Sequence, residues 1–101
     1  MAYQIEFAES VKAQFKALTA RQRLIILDAI ERQLIHEPLK ETRNRKILRP
    51  NPLAPWELRV GDLRVFYEPE SGGETQKIIK ILAVGRKKGN KLLIGGKVVE
   101  L

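Results

Sequence analysis

Apolar and polar residues alternate from Tyr3 to Phe7, with Tyr3, Ile5 and Phe7 on one side, and this predicts a strand. From Glu9 to Leu18 the spacing turns helical, with Val11, Phe15 and Leu18 on one stripe and Lys12 and Lys16 off it. Thr19-Ala20-Arg21-Gln22 then reads as a capping box: the Thr19 hydroxyl accepts from the third helical amide while Gln22 reaches back. A longer helix follows to about His36, burying Leu24, Leu27, Ile30 and Leu34, with Ile26 partly covered. The connection is too short for anything but an antiparallel helix hairpin. Glu37-Pro38 ends it, because the residue before proline disfavours helix, and His36 is expected to cap the helix C-terminus as a positive ring.

Residues 38–55 carry Pro38, Pro50, Pro52 and Pro55, which rule out a continuous helix. Lys46 to Arg49 is expected to be extended and the rest loop. Strands follow at Trp56–Val60 and Leu63–Glu68, written around a Gly61-Asp62 turn. Glu70-Ser71-Gly72-Gly73-Glu74 predicts a flexible turn. Lys77 to Val84 alternates, with Ile79, Ile81 and Ala83 opposite Ile78, Lys80 and Leu82, as a central strand would. Leu92 to Val99 reads as a last small hairpin. The order predicts one α+β domain over residues 1–101: an N-terminal strand and an antiparallel helix pair packed on one face of a mainly antiparallel sheet. The other face must be wet or covered by a partner.

Charge changes this picture. The 101 residues carry a net charge of +7. Lys40, Arg43, Arg45, Lys46 and Arg49 face only Glu41 in one short segment, and Arg86, Lys87, Lys88, Lys91 and Lys97 face no acid in another. Together these blocks exceed the whole net charge. Such blocks attract polyanions or an acidic protein. Both adjoin strands that can lie side by side, so their charge is expected to meet in one groove. Two arginines, Arg59 and Arg64, flank the Gly61-Asp62 turn, and the planar guanidinium suits phosphate. The plainer role for Arg64 is a salt bridge with Glu57 or Glu68. Trp56 and Tyr67 are the rings available to stack on a base, though Trp56 is expected to pack as core under the loop.

No cysteine is present, and His36 is the one histidine, so disulfides, thiolate metal sites and a Ser-His-Asp triad are not expected. No metal or cofactor is called for. No apolar run approaches a membrane span, and the N-terminal residues lack a secretory pattern, so a cytoplasmic protein is expected.

Phe15-Lys16-Ala17-Leu18 in the helix pair, the run from Trp56 through Arg59-Val60-Gly61-Asp62-Leu63-Arg64 to Tyr67, and Ile81-Leu82-Ala83-Val84-Gly85-Arg86-Lys87 together resemble the RelE/ParE family of bacterial type II toxins. The resemblance implies the RelE-like fold and a cognate acidic antitoxin that wraps the toxin in a hetero-oligomer. RelE-like members are metal-independent endoribonucleases that cut mRNA in the ribosomal A site and so inhibit translation; ParE-like members poison DNA gyrase. Carried over by residue, Arg64 matches the hairpin arginine on the scissile phosphate, and Arg86 and Lys87 match the basic pair that balances transition-state charge. Lys46 supports them as a further catalytic cation. Arg49, Arg59, Lys88 and Lys91 are the remaining substrate-binding candidates, with Arg59 also read as a structural ion pair. Two departures stand out: Glu57 replaces a lysine before the hairpin arginine, and Leu92, Leu93 and Ile94 stand where a C-terminal tyrosine is expected. Three readings follow: a ribosome-dependent mRNA endoribonuclease, a gyrase inhibitor, and a catalytically inactive remnant that binds antitoxin.

Overall fold

The computed structural model describes residues 2–71 and 77–100. Strand β1 (Gln4–Phe7) leads into helices α1 (Glu9–Lys16) and α2 (Ala20–Gln33), and then six strands follow. These are β2 (Arg45–Ile47), β3 (Trp56–Val60), β4 (Leu63–Ser71), β5 (Lys77–Lys88), β6 (Lys91–Ile94) and β7 (Lys97–Val99). They run antiparallel in the order β2-β3-β4-β5-β6-β7, while β1 pairs parallel with β5. α1 lies on β5 and α2 on β3 and β4. The result is an α+β fold with two helices on a mainly antiparallel sheet.

The capping box forms as the sequence dictates: Gln22 N–H donates to Thr19 Oγ1 at 3.1 Å, and Thr19 N–H donates to Gln22 Oε1 at 2.9 Å. The buried stripe of α2 is different from the expected one. Ile26, Ala29 and Ile30 face the sheet, while Leu24 is 68% exposed and Leu27 44% exposed. Residues 24–27 are all apolar, so their pattern fits more than one helical phase, and the cap with its sheet contacts selects this one. The helix also ends at Gln33, short of His36, which is exposed. Arg45 takes the capping task instead: its Nη1 donates to the Gln33 carbonyl at 3.0 Å.

Strand β5 holds the sheet together. Along one edge it pairs with β4; along the other, β1 takes Ile78–Ile81 and β6 takes Arg86–Lys88. The gap between β1 and β6 is closed by the segment that starts the helices. Ala8 N–H donates to the Ile81 carbonyl at 2.8 Å, and Gln14 Oε1 accepts from Val84 N–H at 2.9 Å. Opposite that gap the β4–β5 register shifts: Phe66 faces Ala83 but Tyr67 faces Ile81, leaving Leu82 as an extra residue. The strict alternation read from Lys77 to Val84 therefore breaks. Ile79, Ile81 and Val84 join the core under the helices, and Ala83 turns to the other face.

Part of that other face is covered by the chain itself. A second core forms there from Ala54, Phe66, Ala83, Leu92 and Ile94, with Leu48, Leu53 and Val99 against it. The proline-rich loop and the β6–β7 hairpin supply the cover. Asn51 stiffens the loop, donating from Nδ2 to Arg49 O and Ala54 O and accepting at Oδ1 from Leu53 and Ala54 N–H. Gly85 lets the hairpin close on the sheet, because a Cβ there would collide with the Leu93 carbonyl oxygen. Trp56 and Tyr67 stack at 5.9 Å between centroids within the helix-side core, so neither ring is available to a base, and Trp56 packs toward the helices and not under the loop. β4 extends through Glu70 and Ser71 into the expected turn, whose other residues, 72–74, lie outside the described residues.

Gln14→Leu would leave the Val84 N–H unpaired beside the register shift and should cost about 1–3 kcal/mol in urea unfolding. An unchanged midpoint would contradict this account of the gap. Tyr67 donates its buried hydroxyl to the Pro38 carbonyl at 2.6 Å, and burial pushes the phenol far above its ordinary 10.0. The unfolded chain releases that proton near its ordinary value while the fold keeps it. Stability is thus intact below about pH 10 and falls above it. Tyr67→Phe should lose about 1 kcal/mol at neutral pH and show a shallower alkaline decline, measured by thermal melts from pH 8 to 11.

Candidate functional site

The side of the sheet away from the helices becomes polar toward the β3–β4 turn. Residues directly opposite each other in an antiparallel pair share a face. Lys46 stands opposite Glu57, Glu57 opposite Phe66, and Arg59 opposite Arg64. Arg64 in turn faces Gly85, and Lys87 lies two residues farther along β5 on the same side. Four cations from four strands therefore share one face around one carboxylate: Lys46, Arg59, Arg64 and Lys87 with Glu57.

Glu57 is 6% exposed, the one charged residue buried among the described residues. Its Oε1 accepts from Arg59 Nε at 2.6 Å, and its Oε2 lies 3.9 Å from Arg64 Nε. A buried carboxylate needs such partners to offset its lost hydration. Arg64, whose side chain is 14% exposed, gives both Nη1 hydrogens to the carbonyls of Gly61 and Leu63, at 2.7 and 2.8 Å. The guanidinium is thereby fixed in place, and its Nη2 edge has no protein partner among the described residues. Gly61 adopts a positive φ of 58°, which the two-residue turn requires. Lys87 N–H donates to the Asp62 carbonyl at 2.7 Å, so β5 runs past the turn and brings its lysine alongside.

The other candidates stand elsewhere. Arg86 faces Leu63 and Leu93, which puts it on the helix side of the sheet, away from Arg64. Arg49 is exposed in the proline-rich loop, past the far end of β2 from Arg64, where it lines a cavity with Glu68. Lys88 and Lys91 pair at the β5–β6 turn, one step beyond Lys87. The two basic blocks do not adjoin, since β3 and β4 separate β2 from β5. Their charge meets on one face only through Arg59 and Arg64. Sequence reasoning offered Glu57 as a salt-bridge partner for Arg64, which the structure shows, but missed its burial and its shorter contact with Arg59. Its one signal was a carboxylate spaced two residues from Arg59 in a strand, which puts both on one face. Among the described residues no group of three His, Cys, Asp or Glu side chains could hold a metal, and no helix is long and apolar enough to cross a membrane.

Comparison with known families matches residues 5–90 to the model of the ParE toxin of type II toxin–antitoxin systems, parDE. The chain belongs to this RelE/ParE family of toxins. A similar solved structure is the toxin–antitoxin complex RelBE2 from Mycobacterium tuberculosis, 23% identical, with a TM-score of 0.65. The alignment covers 86% of this chain and 100% of that one. A search of curated proteins finds no match. The family match ends at Asn90, so the toxin's β6–β7 hairpin lies outside it.

The Glu57–Arg59 contact joins a buried carboxylate to an arginine whose side chain is 49% exposed. Solvent around Arg59 screens the pair, so a double-mutant cycle of Glu57→Ala with Arg59→Ala should give a coupling near 1 kcal/mol, declining with added salt. The longer contact to Arg64 should give less. Equal couplings, or none, would contradict the geometry.

Proposed function

We propose that this toxin is a metal-independent, ribosome-dependent mRNA endoribonuclease that inhibits translation and is neutralised by a cognate acidic antitoxin. The observation that carries the reading is the shared face of Arg64 and Lys87, with Lys46 and Arg59 beside them. In such cleavage the ribose 2′-oxygen forms a bond to the adjacent phosphorus as the 5′-oxygen leaves, through a phosphorane carrying extra negative charge. Preorganised cations are the largest lever on that charge. Arg64 is preorganised by two backbone carbonyls and offers its free edge to a phosphate oxygen; Lys87 adds a second charge. Glu57 acts as the anchor that orients the arginines.

No histidine or tyrosine shares this face among the described residues, and Glu57 is engaged by arginines. Proton transfer is accordingly weakly served, and in-line geometry must be imposed on the mRNA from outside, as a ribosome-dependent enzyme would require. The antitoxin partner draws support from the RelBE2 likeness and from the toxin's net charge of +7, which suits an acidic chain. A cytoplasmic location and a hetero-oligomer accord with such a target and partner.

A second reading, inhibition of DNA gyrase, is favoured by the ParE description of the matching family and by the carboxylate that occupies two of the arginines. Induced expression separates the two. The nuclease reading expects protein synthesis to stop within minutes with cleaved transcripts, and DNA to stay intact. It also expects Arg64→Ala with Lys87→Ala to abolish arrest while the fold and antitoxin binding persist. DNA breakage with intact transcripts would instead establish the gyrase reading, and arrest by the double variant would remove this face from the mechanism.

A further inference from the structure

The outward side of α2 gathers several large apolar residues that the fold leaves uncovered. Leu24 is 68% exposed, and Ile25 and Leu27 flank it at 37% and 44%. On one flank, Leu24 and Ile25 line an open cavity of about 390 Å³ between the helix and Val60 at the β3–β4 turn. On the other, Leu27 borders a hollow shared with Phe7 and Phe15. Exposed apolar residues scattered singly are ordinary, whereas a contiguous patch marks an interaction surface.

Charge decides what fits it. The exposed charged residues of α2 are Arg21, Asp28, Glu31 and Arg32, two of each sign, so this face is neutral on a protein of net charge +7. An acidic chain gains less here than on the cationic face of the sheet, while a second copy of this protein meets least repulsion here. The face is also complementary to itself. Arg21 and Asp28 stand about two helical turns apart on one stripe, with Leu24 and Ile25 midway between them. A two-fold axis through that midpoint runs a second α2 antiparallel to the first. Arg21 of each copy then meets Asp28 of the other, and Leu24 and Ile25 of both copies pack together at the centre. Among the described residues Arg21 has no ion pair, and Asp28 has one, to Arg32 at 3.0 Å, with both side chains largely exposed. A carboxylate accepts from more than one donor, so that contact leaves room for the second.

We propose that this chain pairs with a second copy of itself through antiparallel contact of the two α2 helices. The proposal does not rest on the nuclease reading. The helices lie on the side of the sheet opposite Arg64 and Lys87, so the dimer turns both cationic faces outward and leaves them open. One helix pair covers less than the roughly 800 Å² per partner of a standard interface, which makes the dimer weak and concentration-dependent.

The test is sedimentation velocity of the full chain from micromolar to submillimolar concentration, with circular dichroism to confirm that each variant is folded. The wild-type coefficient should rise from monomer toward dimer, and Leu24→Glu should hold it at monomer. Arg21→Glu or Asp28→Arg alone sets like charges opposite each other at both ends of the contact and should raise the dissociation constant about tenfold. The two reversals together restore the pairing and should return the constant to near its wild-type value. Val98→Glu, the same kind of change at an exposed apolar residue of β7, should leave it unaltered. A wild-type chain that stays monomeric throughout overturns the proposal, and so does a double reversal that stays dissociated. Equal loss of pairing on Val98→Glu would overturn the choice of face. A monomeric wild type whose antitoxin binding is lost on Leu24→Glu would assign the face to the antitoxin instead.

Discussion

The pairing of β4 with β5 carries one extra residue, Leu82, between the partners of Phe66 and Tyr67, and the chemistry of the sheet depends on it. Side chains alternate along a strand, so a single inserted residue exchanges the two faces for everything beyond it. In an uninterrupted β5, Arg86 would share the face of Arg64, and Lys87 would point under the helices. The bulge reverses this. Val84 moves into the helix-side core, Ala83 and Gly85 face the second core, and Lys87 comes round beside Arg64. α1 stabilises the irregularity, since Gln14 takes the Val84 N–H that β1 and β6 leave unpaired.

The same side of the sheet is half core and half charge. Phe66, Ala83, Leu92 and Ile94 form the dry part, closed by the proline-rich loop and the hairpin. Glu57 lies at the boundary, buried by the first and paired with the second. A lysine at that position would add another cation; the glutamate instead lowers the local charge and tethers two arginines. The toxin thus holds Arg64 in one geometry at the expense of some field strength. That trade suits recognition of a phosphate presented in a fixed position.

Much of this was legible in the residues. The capping box of Thr19 and Gln22, the strand at Trp56–Val60, the turn at Gly61-Asp62 and the final hairpin each carry a local signal, and each formed where that signal lies. The failures share a cause. In Leu24-Ile25-Ile26-Leu27 and in Ile78 to Val84 nearly every residue is apolar, so hydrophobic pattern alone does not fix the face. Tertiary contacts decided both, through the packing of α2 on β3 and β4 and the bulge in β5. The place of Arg86 was unreadable for that reason, and the burial of Glu57 because it depends on strand pairing that sets it between Lys46 and Phe66 and against two arginines.

The most direct test of the account is an NMR titration with an uncleavable RNA oligonucleotide, following the side-chain nitrogen signals of Arg64, Lys87 and Arg86 together. The register requires Arg64 and Lys87 to shift along one saturation curve while Arg86 stays still. Movement of Arg86 in step with Arg64, and a silent Lys87, would contradict it.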